Sequence, residues 1–264
     1  SLPFVQIGEW MKESGINVPK IHQHNLDLGF MGLSDFGDFH FQDALKNKDR
    51  ESLYERATNE IVNFQSSLLN SEKKLPTFSS EWQDRELNIF REWCLPDLSD
   101  IEYREITSVL VNAIDQIPKA FMHRDFHCRN ILLCNEDKLG VIDFQGAMFG
   151  PVTYDLVSLL RDCYVDNDDE WIVKSAQTFQ QNLLSAKLSY AQVEPEQFLR
   201  WFDFAGLQRH LKCVGIFHRL KIRDSKPEYM QDVPRILGYI HQVLEKHTEL
   251  ESIKQLVDQA TILE

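Results

Sequence analysis

The stretch His123-Arg124-Asp125-Phe126-His127-Cys128-Arg129-Asn130 runs into Ile131-Leu132-Leu133-Cys134, the polar turn Asn135-Glu136-Asp137-Lys138, then Leu139-Gly140-Val141-Ile142 and Asp143-Phe144. Two short apolar runs about a polar turn predict a β-hairpin. A hairpin returns its ends to one place, so Asn130 at its entrance and Asp143 at its exit are expected to meet. A third apolar run, Ala120-Phe121-Met122, leads in. Upstream, Leu53, Ala57, Ile61, Phe64 and Leu68 keep one stripe at helical spacing. A helix is expected from Glu81 to Cys94, stopped by Pro96. Ile106, Leu110, Ala113 and Ile117 mark another, ended by Pro118. Downstream, everything from Val152 to Glu264 reads as helical, with breaks near Asp166-Asn167, Pro195 and Lys226-Pro227.

Near the beginning, a helix from Phe4 to Ser14 stops at Gly15. The run Val18 to His24 reads as extended, because Pro19 is badly placed in a helix. Gly29-Phe30-Met31-Gly32-Leu33 reads as its partner strand, and Ser34-Asp35-Phe36-Gly37-Asp38 as a polar connector. The expected class is α+β: a small strand-bearing part over 1–37, and a large, mainly helical part over 38–264 that holds the hairpin.

A hydrophobic share of 43% and a charged share of 26% are ordinary for a globular chain of 264 residues. The net charge of −13 argues against a general nucleic-acid binder and against binding to anionic membranes. No apolar run reaches the roughly 18 residues a membrane span needs, and Ser1-Leu2-Pro3-Phe4 is no signal peptide. The five cysteines are scattered without a C-x-x-C pair, which disfavours a disulfide framework or zinc site and fits a reducing, cytoplasmic setting.

The quoted stretch fits the template H-R-D-x-x-x-x-N, then a metal-binding Asp-Phe, of kinase catalytic loops. Phosphoryl transfer needs positioning and charge neutralisation more than covalent help. Asp125 would accept the proton of an acceptor hydroxyl and aim its oxygen. Asn130 and Asp143 supply one neutral and one charged oxygen ligand to Mg²⁺, which keeps several waters and so needs few protein ligands. Eleven residues (144 to 154) separate Asp143 from Asp155, and no A-P-E follows. That leaves no room for a long regulatory loop, and a small-molecule hydroxyl is the expected acceptor.

The run His123 to Tyr164, with Gly150-Pro151-Val152-Thr153-Tyr154-Asp155-Leu156, resembles the aminoglycoside phosphotransferase-like kinases. Within them it is most similar to the anomeric N-acetylmuramate/N-acetylglucosamine kinases of cell-wall recycling, through Leu207-Gln208-Arg209-His210-Leu211-Lys212, Gly215-Ile216-Phe217, Arg219, Arg223-Asp224, Tyr229 and Asp232-Val233-Pro234-Arg235. The resemblance implies a bilobal protein-kinase-like fold, with ATP between the lobes and its γ-phosphate passed to the C1 hydroxyl of an amino sugar. By position, Asp125 matches the catalytic base, and Asn130 and Asp143 the metal ligands. Ser34, Asp35, Phe36 and Gly37 match the hinge that contacts adenine. Asp155 matches an aspartate that supports the catalytic loop, alongside His123 and Arg124.

Members of this family carry a phosphate-covering loop and a strand lysine, and neither is visible here. Lys12 and Lys20 do not sit on a strand before the first helix. The expectation is a small lobe that is truncated, with a natural N-terminus upstream. Kinases for other small alcohols (aminoglycoside, choline or thiamine types) and a non-catalytic nucleotide- or sugar-binding module stay open. A basic stripe, Arg209, Lys212, Arg219 and Arg223, favours an acceptor bearing a carboxylate, with Arg209 and Arg223 as the contacts. The His22/His24 pair is expected to lie on a surface strand, Cys128 to fill space, and Trp201, Phe202 and Phe204 to be core.

Overall fold

The computed structural model describes residues 2–134 and 138–262, with side chains through residue 260. The turn expected at Asn135-Glu136-Asp137 lies outside the described residues. The chain opens with α1 (Leu2–Glu13), ended at Gly15, whose φ of 86° suits glycine. The antiparallel hairpin β1 (Ile21–Asn25) and β2 (Phe30–Leu33) follows. Helices α2 (Phe41–Asn47), α3 (Arg50–Ser67), the short α4 (Ser71–Lys74), α5 (Ser80–Cys94) and α6 (Asp100–Asp115) begin the large part. The stripe Leu53, Ala57, Ile61, Phe64 and Leu68 is wholly buried. Ser99 accepts from the Glu102 N–H at 3.2 Å to start α6, satisfying one of the four amides a helix start leaves unpaired.

Strands β3 (Lys119–Met122), β4 (Ile131–Leu133), β5 (Leu139–Val141) and β6 (Met148–Pro151) come next. β4 pairs with β5 in the expected hairpin, with Ile131 opposite Val141. β3 pairs antiparallel with β6, a strand the sequence reading did not place. At Gly150 the reason for glycine is packing: a Cβ there would lie 2.6 Å from the Met122 side chain on β3.

Among the described residues, the α-helices that follow are α7 (Tyr154–Leu160), α8 (Asp169–Ser185), α9 (Pro195–Asp224), α10 (Val233–Lys246) and α11 (Glu251–Ile262). Pro195 sits in the first turn of α9, where its missing N–H has no helical partner to lose. Over its middle turns α9 is buried all round, including Trp201, Phe202 and Phe204. It packs against α5, α7, α8 and α10 and is the pillar of the large lobe.

The α5–α9 crossing is set at Gly215. A Cβ there would lie 2.6 Å from the Phe90 backbone nitrogen and 2.7 Å from the Ile89 carbonyl oxygen. Backbone cannot swing aside as a side-chain tip can. Gly215→Ala is therefore expected to destabilise the protein by about 1–3 kcal/mol, despite alanine's better helix propensity. Chemical denaturation checks this, and an unchanged or raised stability would show that the two helices separate freely.

The N-terminal part is tied to the large lobe through β5 and the turn after Asp143. Val141 N–H donates to Asn17 O at 2.9 Å, and Asn17 Nδ2 donates to Leu139 O at 3.0 Å. Phe4 stacks on Phe144 with centroids 4.7 Å apart, and Gly8 lets α1 close on the same ring.

Candidate active site

The register of the β4–β5 hairpin builds the first half of the site. The ladder continues one step past Ile131 and Val141, where Ile142 N–H donates to Asn130 O at 3.1 Å. Asn130 and Asp143 therefore leave the hairpin side by side, with Asn130 Nδ2 3.4 Å from Asp143 Oδ2. Nδ2 also donates to the Asp125 carbonyl at 2.9 Å, so Oδ1 is the Asn130 atom left to face a cation. Asp143 takes a left-handed conformation, φ 64°, and Gln145 Nε2 donates to its Oδ1 at 2.5 Å. Such a conformation is costly for a residue with a Cβ and persists only where its surroundings impose it.

One exposed carboxylate and one amide oxygen suit Mg²⁺, which fills its octahedron with water and phosphate oxygens. Among the described residues no cluster of three or more His, Cys, Asp or Glu could hold a metal. His22 and His24 are exposed on β1.

Three buried carboxylates hold the loop from His123 to Asn130. Asp155, in the first turn of α7 and 1% exposed, accepts the N–H groups of His123 at 2.7 Å and Arg124 at 2.9 Å. Burial pushes its carboxyl up to about 7, against the two donors. Asp162 accepts Cys128 N–H and Tyr164 N–H, both at 2.8 Å. Glu86 on α5 receives Arg124 through Nε at 3.0 Å and Nη2 at 2.7 Å, and accepts from Gln208 Nε2 at 3.0 Å. Burial works against ionised Glu86, but Lys212 and Arg124 overcome it and hold its carboxyl below the usual range. Arg124 itself adopts φ 79°, a second strained position in the site after Asp143.

His123 ties the loop to the end of β5. Its ring lies between Phe64 and Phe126, and Nε2–H donates to Ile142 O at 3.1 Å. Burial lowers its pKa to about 4, so the ring is neutral at pH 7. Burial pushes the Cys128 thiol up, which removes it as a nucleophile and leaves it filling space.

Asp125 faces a cavity of about 370 Å³ between the catalytic loop, α5 and α9, whose walls include Arg124, Arg209, Lys212 and Arg219. Burial alone would raise the Asp125 carboxyl. Lys212 and then Arg124 outweigh it, and the pKa lies below the ordinary 3.8. Lys212 Nζ donates to Tyr154 Oη at 3.0 Å and lies 3.7 Å from Glu86.

Arg209 is in this wall, but Arg223 is not. Fourteen residues of helix place it about 21 Å farther along α9. It is exposed there and pairs with Asp224 at 2.8 Å. Ser34 to Gly37 forms the connector from β2 to α2. Ser34 N–H donates to Lys20 O at 2.9 Å, and Asp35 Oδ1 caps the Gly37 N–H at 2.8 Å. The Phe36 ring sits over Gly140 of β5, where a Cβ would lie 2.5 Å from it.

Glu86 and Asp162 went unread in the sequence. For Glu86 a signal existed. It falls on the buried stripe Gln83, Glu86, Leu87, Phe90 and Cys94, where helical spacing reserves a place for an apolar side chain. A carboxylate there needs a buried cation.

Residues 1–195 match the phosphotransferase enzyme family (APH), and the chain belongs to it. The chain is 34% identical over 254 residues to the N-acetylmuramate/N-acetylglucosamine kinase of Neisseria meningitidis, covering 92% of this chain and 75% of that one. It is 33% identical over 265 residues to the enzyme of the same name from Pseudomonas aeruginosa, covering 97% and 77%. Among solved structures, the fold matches Plasmodium vivax ethanolamine kinase with a TM-score of 0.62 at 14% identity, covering 89% of this chain and 71% of that one. An ADP-bound aminoglycoside phosphotransferase matches with a TM-score of 0.55 at 14% identity, covering 91% and 82%. The fold is thus the bilobal, protein-kinase-like one, and the chain is a phosphotransferase. No helix among the described residues is long and apolar enough to cross a membrane.

Proposed function

We propose that the protein transfers the γ-phosphate of ATP to the anomeric hydroxyl of an amino sugar, N-acetylmuramate or N-acetylglucosamine, in the cytoplasm. The observation that carries the chemistry is the convergence of Asp125, Asn130 and Asp143 around one hairpin end, beside a cavity of small-molecule size. The identity of the acceptor rests on the names of the relatives. Ser34, Asp35, Phe36 and Gly37 take the adenine side, as the connector between the lobes.

In this reading the acceptor enters the Asp125 cavity with its C1 hydroxyl toward the carboxylate. Asp125 orients the oxygen and takes its proton as the C1 oxygen bonds to the γ-phosphorus and the bond from that phosphorus to the β–γ bridging oxygen breaks, releasing ADP. A carboxylate held below its ordinary pKa is a weak base. It accepts the proton late, once phosphoryl transfer has made the hydroxyl acidic, and much of its effect is aim. Bound at Asn130 and Asp143, Mg²⁺ would neutralise charge on the phosphates. Asp155, Glu86 and His123 fix the loop so that Asp125 pays no reorganisation cost at the moment of reaction.

The test is ATP consumption by the full chain with N-acetylmuramate, N-acetylglucosamine, choline, thiamine and a kanamycin-type sugar, with the phosphate located by NMR. Turnover with an amino sugar and a C1 phosphate is the expected result. Turnover confined to choline, thiamine or the aminoglycoside would overturn the acceptor assignment.

A further inference from the structure

The acceptor cavity carries the opposite sign to the chain around it. Arg124, Arg209, Lys212 and Arg219 line it, against the carboxylates Glu86 and Asp125, in a chain of net charge −13. The cations are unequally matched. Arg124 bonds Glu86 at 2.7 Å and Lys212 lies 3.7 Å from the same carboxylate. Both also act on Asp125.

Arg209 is different. It is 2% exposed, its Nη1 donates to Cys163 Sγ at 3.4 Å, and its Nε has no acceptor. The groups that favour its charge are the Cys213 and Cys163 thiols and the Tyr154 hydroxyl, then Asp162, and each oxygen of Asp162 already accepts a backbone N–H, from Cys128 and Tyr164. Arg219 Nε, in the same wall, is also buried without an acceptor. Positions 209, 212, 216 and 219 recur at helical spacing, so the two guanidiniums share one face of α9. A guanidinium taken from water without a carboxylate carries a large desolvation cost. An anion arriving in the cavity would offset it.

We infer that Arg209, aided by Arg219, reads a carboxylate on the acceptor and thereby sets the preference for a sugar acid over its neutral counterpart. This deepens the proposed function and rests on it. N-Acetylmuramate differs from N-acetylglucosamine by a lactyl ether ending in a carboxylate. That group is the chemistry a planar, five-donor cation binds through paired hydrogen bonds.

The experiment measures kcat/KM for both sugars in the wild type, Arg209→Gln and Arg219→Gln. The ratio of N-acetylmuramate to N-acetylglucosamine is expected to fall by about tenfold or more in Arg209→Gln, the worth of one charge-assisted hydrogen bond, and by less in Arg219→Gln. A role in packing, or in neutralising the transferred phosphate, lowers both sugars together. A ratio within about twofold of wild type in both variants would overturn the inference while leaving the kinase assignment intact. If Arg209→Gln fails to fold, the half-buried Arg219 carries the same ratio test. A wild type that phosphorylates neither sugar overturns the proposed function, and this inference with it.

Discussion

Replacing Asp125 with asparagine is expected to lower kcat by about 10²–10⁴-fold, the range for loss of a positioned base, while sparing affinity for Mg-ATP. The substitution keeps shape and removes the Asp125 carboxylate from the cavity wall, where the other carboxylate, Glu86, is already held by Arg124. Asn130 and Asp143 stay where the hairpin ladder puts them, so the nucleotide half of the site is untouched. Single-turnover kinetics and isothermal titration separate the two effects. The pH profile adds a signature. Lys212 and Arg124 hold Asp125 below 3.8 despite its burial, so the acid limb that belongs to it lies under the ordinary carboxylate range. A limb near 6 or 7 that disappears in Asp125→Asn would contradict this electrostatic picture. Normal turnover by Asp125→Asn would contradict the mechanism.

Asp203→Ala is expected to cost about 3–5 kcal/mol of folding stability, the range for breaking a buried ion pair from one side. Asp203, on α9, accepts from Arg161 Nη1 at 2.9 Å, Lys246 Nζ at 2.7 Å and His247 Nε2 at 2.9 Å. It joins the end of α7 and the end of α10 to the central helix. Without it, the Arg161 guanidinium is buried beside Phe202 with no carboxylate. Burial opposes ionisation of Asp203, but His247, Arg161 and Lys246 overcome it and bring its pKa to about 2, from an ordinary 3.8. A carboxyl lowered in the folded state binds its proton more readily when unfolded. Its contribution, about 2 kcal/mol, is therefore present above pH 3.8 and lost as the pH falls from there toward 2. Denaturation midpoints of wild type and Asp203→Asn should converge across that window. Parallel pH dependences for the two proteins would show that the cluster does not hold Asp203 ionised.

Legibility of the site tracks the distance over which its residues cooperate. Asp125, Asn130 and Asp143 could be read because they lie within 19 residues of chain, and a hairpin's geometry is local: two apolar runs and a turn return Asn130 to Asp143 whatever surrounds them. The stripe on α3 and the ends of α5 and α6 were legible for the same reason, since helical spacing, caps and prolines act within a few residues. Glu86 and Asp162 were not. Each acts across more than thirty residues, on Arg124 and Cys128; the apolar stripe around Glu86 marks it for burial but does not name its partner, and nothing local marks Asp162. Likewise β6 was not placed from the sequence; its pairing with β3 makes it a strand, and Met122 on β3 explains its glycine.

The stripe on α9 divides the two kinds of information most clearly. The sequence by itself determined that Arg209, Lys212, Arg219 and Arg223 fall near one helical face, because 3.6 residues per turn is a property of the backbone. It also determined the class of the fold and the hairpin that brings Asn130 to Asp143. Only the tertiary structure decided which of those cations matter together. The Gly215 contact brings α5 against α9 beside the catalytic loop. The turns bearing Arg209 and Lys212 are thereby buried against Asp125, while Arg223, two turns past that crossing, is left in water beside Asp224. The same guanidinium is a solvated surface charge at one end of the helix and an unmatched buried cation at the other. That difference is one of dielectric and partners, which the spacing of residues along a chain does not contain.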